Sequence, residues 1–173
     1  MRYSLLAGGK RIRPVLTLAT ARALDHDPAG LLPIASAIEL IHTYSLIHDD
    51  LPAMDDDALR RGRPTCHIAY GENVAILAGD GLFAEAYKLV LEHQEGTAEC
   101  IMAALRELSG AISVAGMVGG QYIDVAAGDE LDERSLRHMH VLKTGRLIAA
   151  SVMVAALMLG TREAATIGLR LFA

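Results

Sequence analysis

Apolar residues recur at helical spacing along nearly the whole chain. Pro14 suits the first turn of a helix that runs to about Leu24, where "DHDPAG" breaks the pattern. A second apolar helix is predicted from about Leu31 to Asp50, and Pro52 has no N–H with which to continue it. "GRPTCHIAYG" reads as a loop. A further helix spans about Glu72 to Glu92 and ends near Gly96, and a short one covers 97–109. The segment "SGAISVAGMVGGQYIDVAAG" is rich in Gly and Ala, so helices can approach closely at Gly116, Gly119 and Gly120. A long helix from about Asp132 to Leu159 carries "KTGR" in its middle, and another starts at Thr161. No strand-period alternation, linker, low-complexity tract or internal repeat stands out. The expectation is an all-α fold in one domain over residues 1–173.

Composition agrees. Hydrophobic residues make up 52% of the 173 positions, aromatics only 4%, and the apolar share is mostly Ala, Leu, Ile, Val and Met. Such a chain is long enough to bury a real core, and Ala, Leu and Met favour helix. A net charge of -5 and a pI near 5.8 argue against general nucleic-acid binding, which needs a broad basic face. Cys66 and Cys100 have no partner at zinc or CxxC spacing, which fits a reducing, cytoplasmic setting. The opening "MRYSLLAGGKRIRP" meets Gly-Gly and a basic cluster too early for a signal peptide. The apolar run Leu147 to Leu159 is short for a membrane span, so a buried core helix is expected there.

The charge pattern changes the picture most. "LIHDDLPAMDDDALRRGRP" places Asp49, Asp50, Asp55, Asp56 and Asp57 at the end of the second helix and in the loop beyond it. A helix C-terminus carries partial negative charge, and crowded aspartates repel one another. The plain reading of such a run is a solvated loop. Its position directly after an apolar helix, beside Arg60, Arg61 and Arg63, favours bound cations instead. Magnesium takes one or two carboxylates and shares phosphate oxygens. A calcium EF-hand starting at Asp49 fails, because Met54 stands where glycine is needed and Arg60 where glutamate is needed. Zinc also fails, since His42 and His48 have no Cys or His at ligand spacing and "HMH" is isolated.

A second cluster follows Gly8-Gly9, in "AGGKRIRP". Lys10 and Arg13 share a face on a helical turn, glycines let backbone approach an anion, and Arg presents a forked donor to phosphate. The P-loop frame is absent. A solvated basic patch remains the plain alternative. His42 and Asp49 lie two helical turns apart on one face, which makes a packing role alone less apt for His42. Together these features point to an all-α magnesium enzyme acting on two phosphorylated, apolar substrates.

The motifs "GGKRIRP", "HTYSLIHDDLPAMDDDALRRGRPTCH", "GGQYID" and "KTG" closely resemble those of trans-type isoprenyl diphosphate synthases, most of all the bacterial farnesyl diphosphate synthases. They come in the family's order and spacing and span most of the chain. The resemblance implies an antiparallel helix bundle around a central cavity, the isoprenoid synthase fold, in a homodimer. It implies Mg2+-dependent condensation of isopentenyl diphosphate with an allylic diphosphate. Asp49 and Asp55 would be magnesium ligands, with Asp50 supporting them. Arg60, Gln121, Lys143 and Thr144 would line the allylic diphosphate site, and Asp124 would help near the metal or the lysine. Lys10, Arg13, His42 and Arg61 would bind isopentenyl diphosphate. Tyr44 and Ser45, just before the aspartates, would limit product length, and with the "PA" insertion the pattern resembles the farnesyl type.

The match is partial. The family's second aspartate-rich motif is expected downstream, and nothing acidic follows Glu163 in these residues. Family members also carry about one more helix ahead of the start. The sequence therefore reads as an incomplete bundle, shortened at both ends. Two readings stand beside farnesyl synthesis by a longer parent: a non-catalytic or inactive partner subunit, and a geranylgeranyl diphosphate synthase. A terpene cyclase fits less well, because "GGKRIRP" offers a second diphosphate site that a cyclase does not use.

Overall fold

A computed structural model describes residues 1–127, 131–161 and 168–169. Its helices, in chain order, are α1 (Arg2–Leu5), α2 (Ile12–Ala23), α3 (Leu32–Asp49), α4 (Cys66–Tyr70), α5 (Glu72–His93), α6 (Ala98–Ile112), α7 (Met117–Ala127), α8 (Glu133–His140) and α9 (Arg146–Met158). The helices predicted as far as Leu159 are present, most with ends within a residue or two of expectation. Pro14 stands in the first turn of α2, and Pro33 in that of α3. Side-chain caps start two others: Thr97 Oγ1 accepts from Cys100 N–H at 3.2 Å, and Asp132 Oδ1 accepts from Ser135 N–H at 2.7 Å. The helix expected over 97–109 continues to Ile112. The helix expected from Thr161 lies almost wholly outside the described residues.

Two local features depart from expectation. The predicted loop after the aspartates contains a small antiparallel ladder, β1 (Leu59–Arg60) with β2 (Arg63–Pro64), followed by α4. Arg61 and Gly62 turn it with φ of 54° and 75°, the left-handed pair of a tight hairpin. Strands of two residues leave no period to read. The long helix from Asp132 is also interrupted. Val141–Gly145 forms a π turn between α8 and α9, and it contains "KTG". Such turns widen a helix by one residue and often mark functional sites.

The core is built on α3 and α9. Ile34, Ile38 and Ile41 of α3 are fully buried, together with Leu147 and Val154 of α9, Leu108 of α6 and Val90 of α5. The expected core helix is therefore α9, which is apolar on nearly every side and buried on most of them. Thr17 Oγ1 of α2 donates to the Ser151 carbonyl of α9 at 2.7 Å, tying these helices at depth. By length and composition alone, three helical stretches could cross a membrane: Pro28–Asp49, Ala98–Ala127 and Glu133–Met158. Half of the first and third windows, and a third of the second, is used in internal packing.

Small residues bring α7 against the π turn. A Cβ at Gly120 would overlap the Lys143 backbone nitrogen and Cα, so only glycine allows this approach. That contact sets α7 and Lys143 opposite the end of α3.

Candidate active site

The aspartates come together because the chain folds back on itself after α3. Met54 N–H donates to Leu51 O at 2.8 Å and Asp55 N–H to Asp49 O at 2.9 Å, while Asp56 takes a left-handed φ of 52°. The turn returns Asp55 to Asp49. Arg60, on β1, reaches the same place. Its Nε and Nη2 each lie 2.5 Å from Asp50 Oδ1, and Nη2 is 3.5 Å from Asp57 and 4.0 Å from Asp49. Burial alone would lower the Arg60 pKa. The hydrogen bond to Asp50 and the surrounding carboxylates more than offset it and hold the guanidinium above its ordinary value.

The opposite wall comes from α7 and the π turn. Gln121 Nε2 donates to Asp49 Oδ1 at 2.6 Å. Lys143 Nζ lies 2.5 Å from Asp124 Oδ2 and 3.5 Å from Asp49 Oδ1. Burial pulls the Lys143 pKa down, but Asp124, Asp49 and Asp55 raise it above its usual value, so the amine stays charged. Among the described residues, no group of three or more potential ligands gathers at one point. Burial, and next the Asp49 charge, push the Asp55 carboxyl above the usual carboxylate range. Two facing carboxylates that repel in this way suit a hard divalent cation that takes its other ligands from phosphate and water.

Two cavities open beside this cluster. The first, about 430 Å³, has Tyr44, Met54, Met117, Val118 and Val125 as apolar walls, and Asp49, Gln121, Lys143 and Thr144 in its polar lining; Ser45 also lines it. Burial raises the Tyr44 hydroxyl to about 12, so it stays neutral there. The second cavity, about 440 Å³, is lined by Gly9, Lys10, Arg11, Arg13, Glu39, His42 and Arg61. Arg13 and His42 border both. Burial and then the charges of Arg13, Arg61, Arg60 and Arg11 depress the His42 pKa to about 3, so the ring is neutral at neutral pH. It can hydrogen-bond an anion without being a cation. Arg13 Nε is buried with no hydrogen-bond partner among the described residues.

The basic loop is held in shape by its own contacts. Arg61 Nη1 donates to Gly8 O, and its guanidinium lies where a Cβ at Gly9 would be. Gly8 and Gly9 have φ of 87° and 119°, which other residues rarely adopt. Every predicted site residue thus lies at the aspartate cluster, which includes Asp50 and Asp124, or on one of the two cavities. Sequence reasoning passed over Arg11 and Glu39. Arg11 donates to Glu39 and to Leu5 O, and Glu39 is buried against the basic cavity. A carboxylate inside the apolar stretch "AIELIH", one turn before His42, was the available signal.

Known proteins share this fold. A family model described as Polyprenyl synthetase matches residues 1–171. The chain belongs to the polyprenyl synthetase family. It is 52% identical over 163 residues to a farnesyl diphosphate synthase of Geobacillus stearothermophilus, covering 92% of this chain and 55% of that protein. It is 46% identical over 166 residues to a geranylgeranyl diphosphate synthase of Cyanophora paradoxa, covering 94% of this chain and 55% of that one. A solved geranyltransferase from Legionella pneumophila superposes with a TM-score of 0.92 at 43% identity, over 98% of this chain and 61% of its own. This polyprenyl synthetase chain spans about half the length of the curated relatives it matches.

Proposed function

We propose that this chain carries the substrate-binding part of a magnesium-dependent prenyltransferase of isoprenoid biosynthesis. The enzyme condenses isopentenyl diphosphate with dimethylallyl or geranyl diphosphate to give farnesyl diphosphate. One observation carries the reading: a basic cavity and an apolar cavity with a carboxylate mouth share Arg13 and His42 as their common wall. Lys10, Arg13, His42 and Arg61 hold isopentenyl diphosphate without metal. Arg60, Lys143, Gln121 and Thr144 orient the allylic diphosphate, whose chain runs along Met117, Val118 and Val125 toward Tyr44. Asp49 and Asp55 would hold magnesium, which would offset diphosphate charge, and Asp50 keeps Arg60 in place. Lys143 and Arg60 stabilise the negative charge that grows on the leaving group. The apolar walls keep water from the allylic cation until the second double bond attacks it. The proton then lost goes to the departed pyrophosphate, so no protein base is needed.

Tyr44 on the cavity wall supports a farnesyl product over a longer one. The relatives include both farnesyl and geranylgeranyl diphosphate synthases, so geranylgeranyl synthesis is the second reading. A purely non-catalytic subunit is disfavoured by the intact first aspartate-rich run and its arginines. A homodimer is part of the proposal, supported by Leu77 and Leu91, which stand 69% and 68% exposed four turns apart on α5. The free Cys66 and Cys100 support a cytoplasmic setting.

The test is condensation by the purified chain with magnesium, isopentenyl diphosphate and geranyl diphosphate, with Asp49→Ala as control. The expected outcome is a farnesyl product that disappears in the control. A folded chain that makes product equally well without Asp49, or that makes none and binds neither diphosphate, contradicts the reading.

A further inference from the structure

Tyr44 does not stand alone on the wall of the apolar cavity. Its ring meets Phe83 of α5 edge to face, with centroids 5.1 Å apart at 84°, and Phe83 in turn meets Tyr87 at 5.4 Å. His48 packs against Tyr44 from one helical turn further along α3, at 5.7 Å and 77°. His48 is itself fixed. It sits in a notch over Gly79, where any Cβ would overlap its ring, and its Nε2 lies 3.1 Å from the Ile76 carbonyl. Tyr44 and His48 line the cavity, whereas Phe83 and Tyr87 stand behind Tyr44. Phe83 is 37% exposed on the outer side of the Tyr44 contact, on α5.

We propose that Phe83 is a specificity-determining residue. It is a second barrier behind Tyr44, so that two rings from α3 and α5, and not Tyr44 alone, limit the length of the prenyl chain; this rests on the prenyltransferase reading above. Edge-to-face aromatic pairs hold their geometry, and a truncated Tyr44 leaves the Phe83 ring facing the cavity. His48, seated over Gly79, keeps Tyr44 from swinging aside when a chain presses on it. Removing Tyr44 alone therefore deepens the cavity by one ring only. Removing both opens it through to solvent, and a longer chain can thread out.

Binding of non-hydrolysable geranyl, farnesyl and geranylgeranyl thiolodiphosphates, with magnesium, tests this by calorimetry on the chain and on Tyr44→Ala, Phe83→Ala and the double variant, each checked for folding by circular dichroism. The unaltered chain is expected to bind the geranyl and farnesyl probes and to discriminate against geranylgeranyl. The double variant should gain at least about tenfold for the geranylgeranyl probe beyond the product of the single effects. If the double variant does not fold, Tyr44→Ala with Phe83→Trp should restore discrimination lost in Tyr44→Ala. Tyr44→Ala binding the geranylgeranyl probe as tightly as the double variant, or Phe83→Trp failing to restore discrimination, overturns the inference alone. A folded, unaltered chain that does not bind the geranyl probe overturns the proposed function and this inference with it.

Discussion

His42 makes folding stability depend on pH in a way that can be isolated. Its pKa falls from 6.5 to about 3, because burial and then Arg13, Arg61, Arg60 and Arg11 disfavour the imidazolium. Below pH 6.5 the unfolded chain takes up a proton at this ring and the folded chain does not. Protonation then favours the unfolded state, so stability is lost as pH falls, at up to about 1.4 kcal/mol per pH unit. Between pH 8 and pH 5 the loss from this one group is about 2 kcal/mol, which for a chain of this size is a fall of roughly 4–8 °C in Tm. His42→Gln keeps a polar side chain of similar reach and removes the titration. Urea unfolding of both proteins at pH 8, 6.5 and 5 should show the unaltered chain losing about 2 kcal/mol more than the variant. Parallel stability profiles would refute the claim that burial and the neighbouring arginines hold His42 neutral.

Three further outcomes follow from the geometry. Gly120→Ala places a methyl group against the Lys143 backbone, which cannot move aside as a flexible side chain would; urea unfolding should show a loss of about 1–3 kcal/mol. Lys10 is exposed, so Lys10→Ala should change stability by no more than about 0.5 kcal/mol while weakening isopentenyl diphosphate binding in calorimetry by about tenfold. Arg60→Ala leaves the buried Asp50 carboxylate unpaired and should cost about 2 kcal/mol or more, read from the same unfolding curves; this loss should shrink at a pH low enough to protonate Asp50.

The helices were legible because burial on one side repeats every third or fourth residue in α2 and α5, while α9 carries one nearly unbroken apolar run. The aspartate cluster was legible for a different reason: five acids crowded at a helix C-terminus have no structural benefit. The hairpin at Arg61-Gly62 was not, since its strands are too short for alternation and the turn lacks the usual Asn-Gly or Asp-Gly. The π turn at "KTG" reads locally as ordinary helix, and only packing against Gly120 reveals it. Pairings across the fold, such as Gln121 with Asp49 and Lys143 with Asp124, have no local signal. Neither does Arg11 with Glu39, which only the meeting of α3 and the basic loop creates.

In the proposed function one chain holds two diphosphate sites, only one of which needs metal. The most direct measurement is calorimetric binding of isopentenyl diphosphate and of geranyl thiolodiphosphate, each with magnesium and with chelator. Isopentenyl diphosphate binding should be indifferent to magnesium, and geranyl probe binding should be lost in chelator and in Asp49→Ala. Equal magnesium dependence of both ligands, or competition between them for one site, would contradict it.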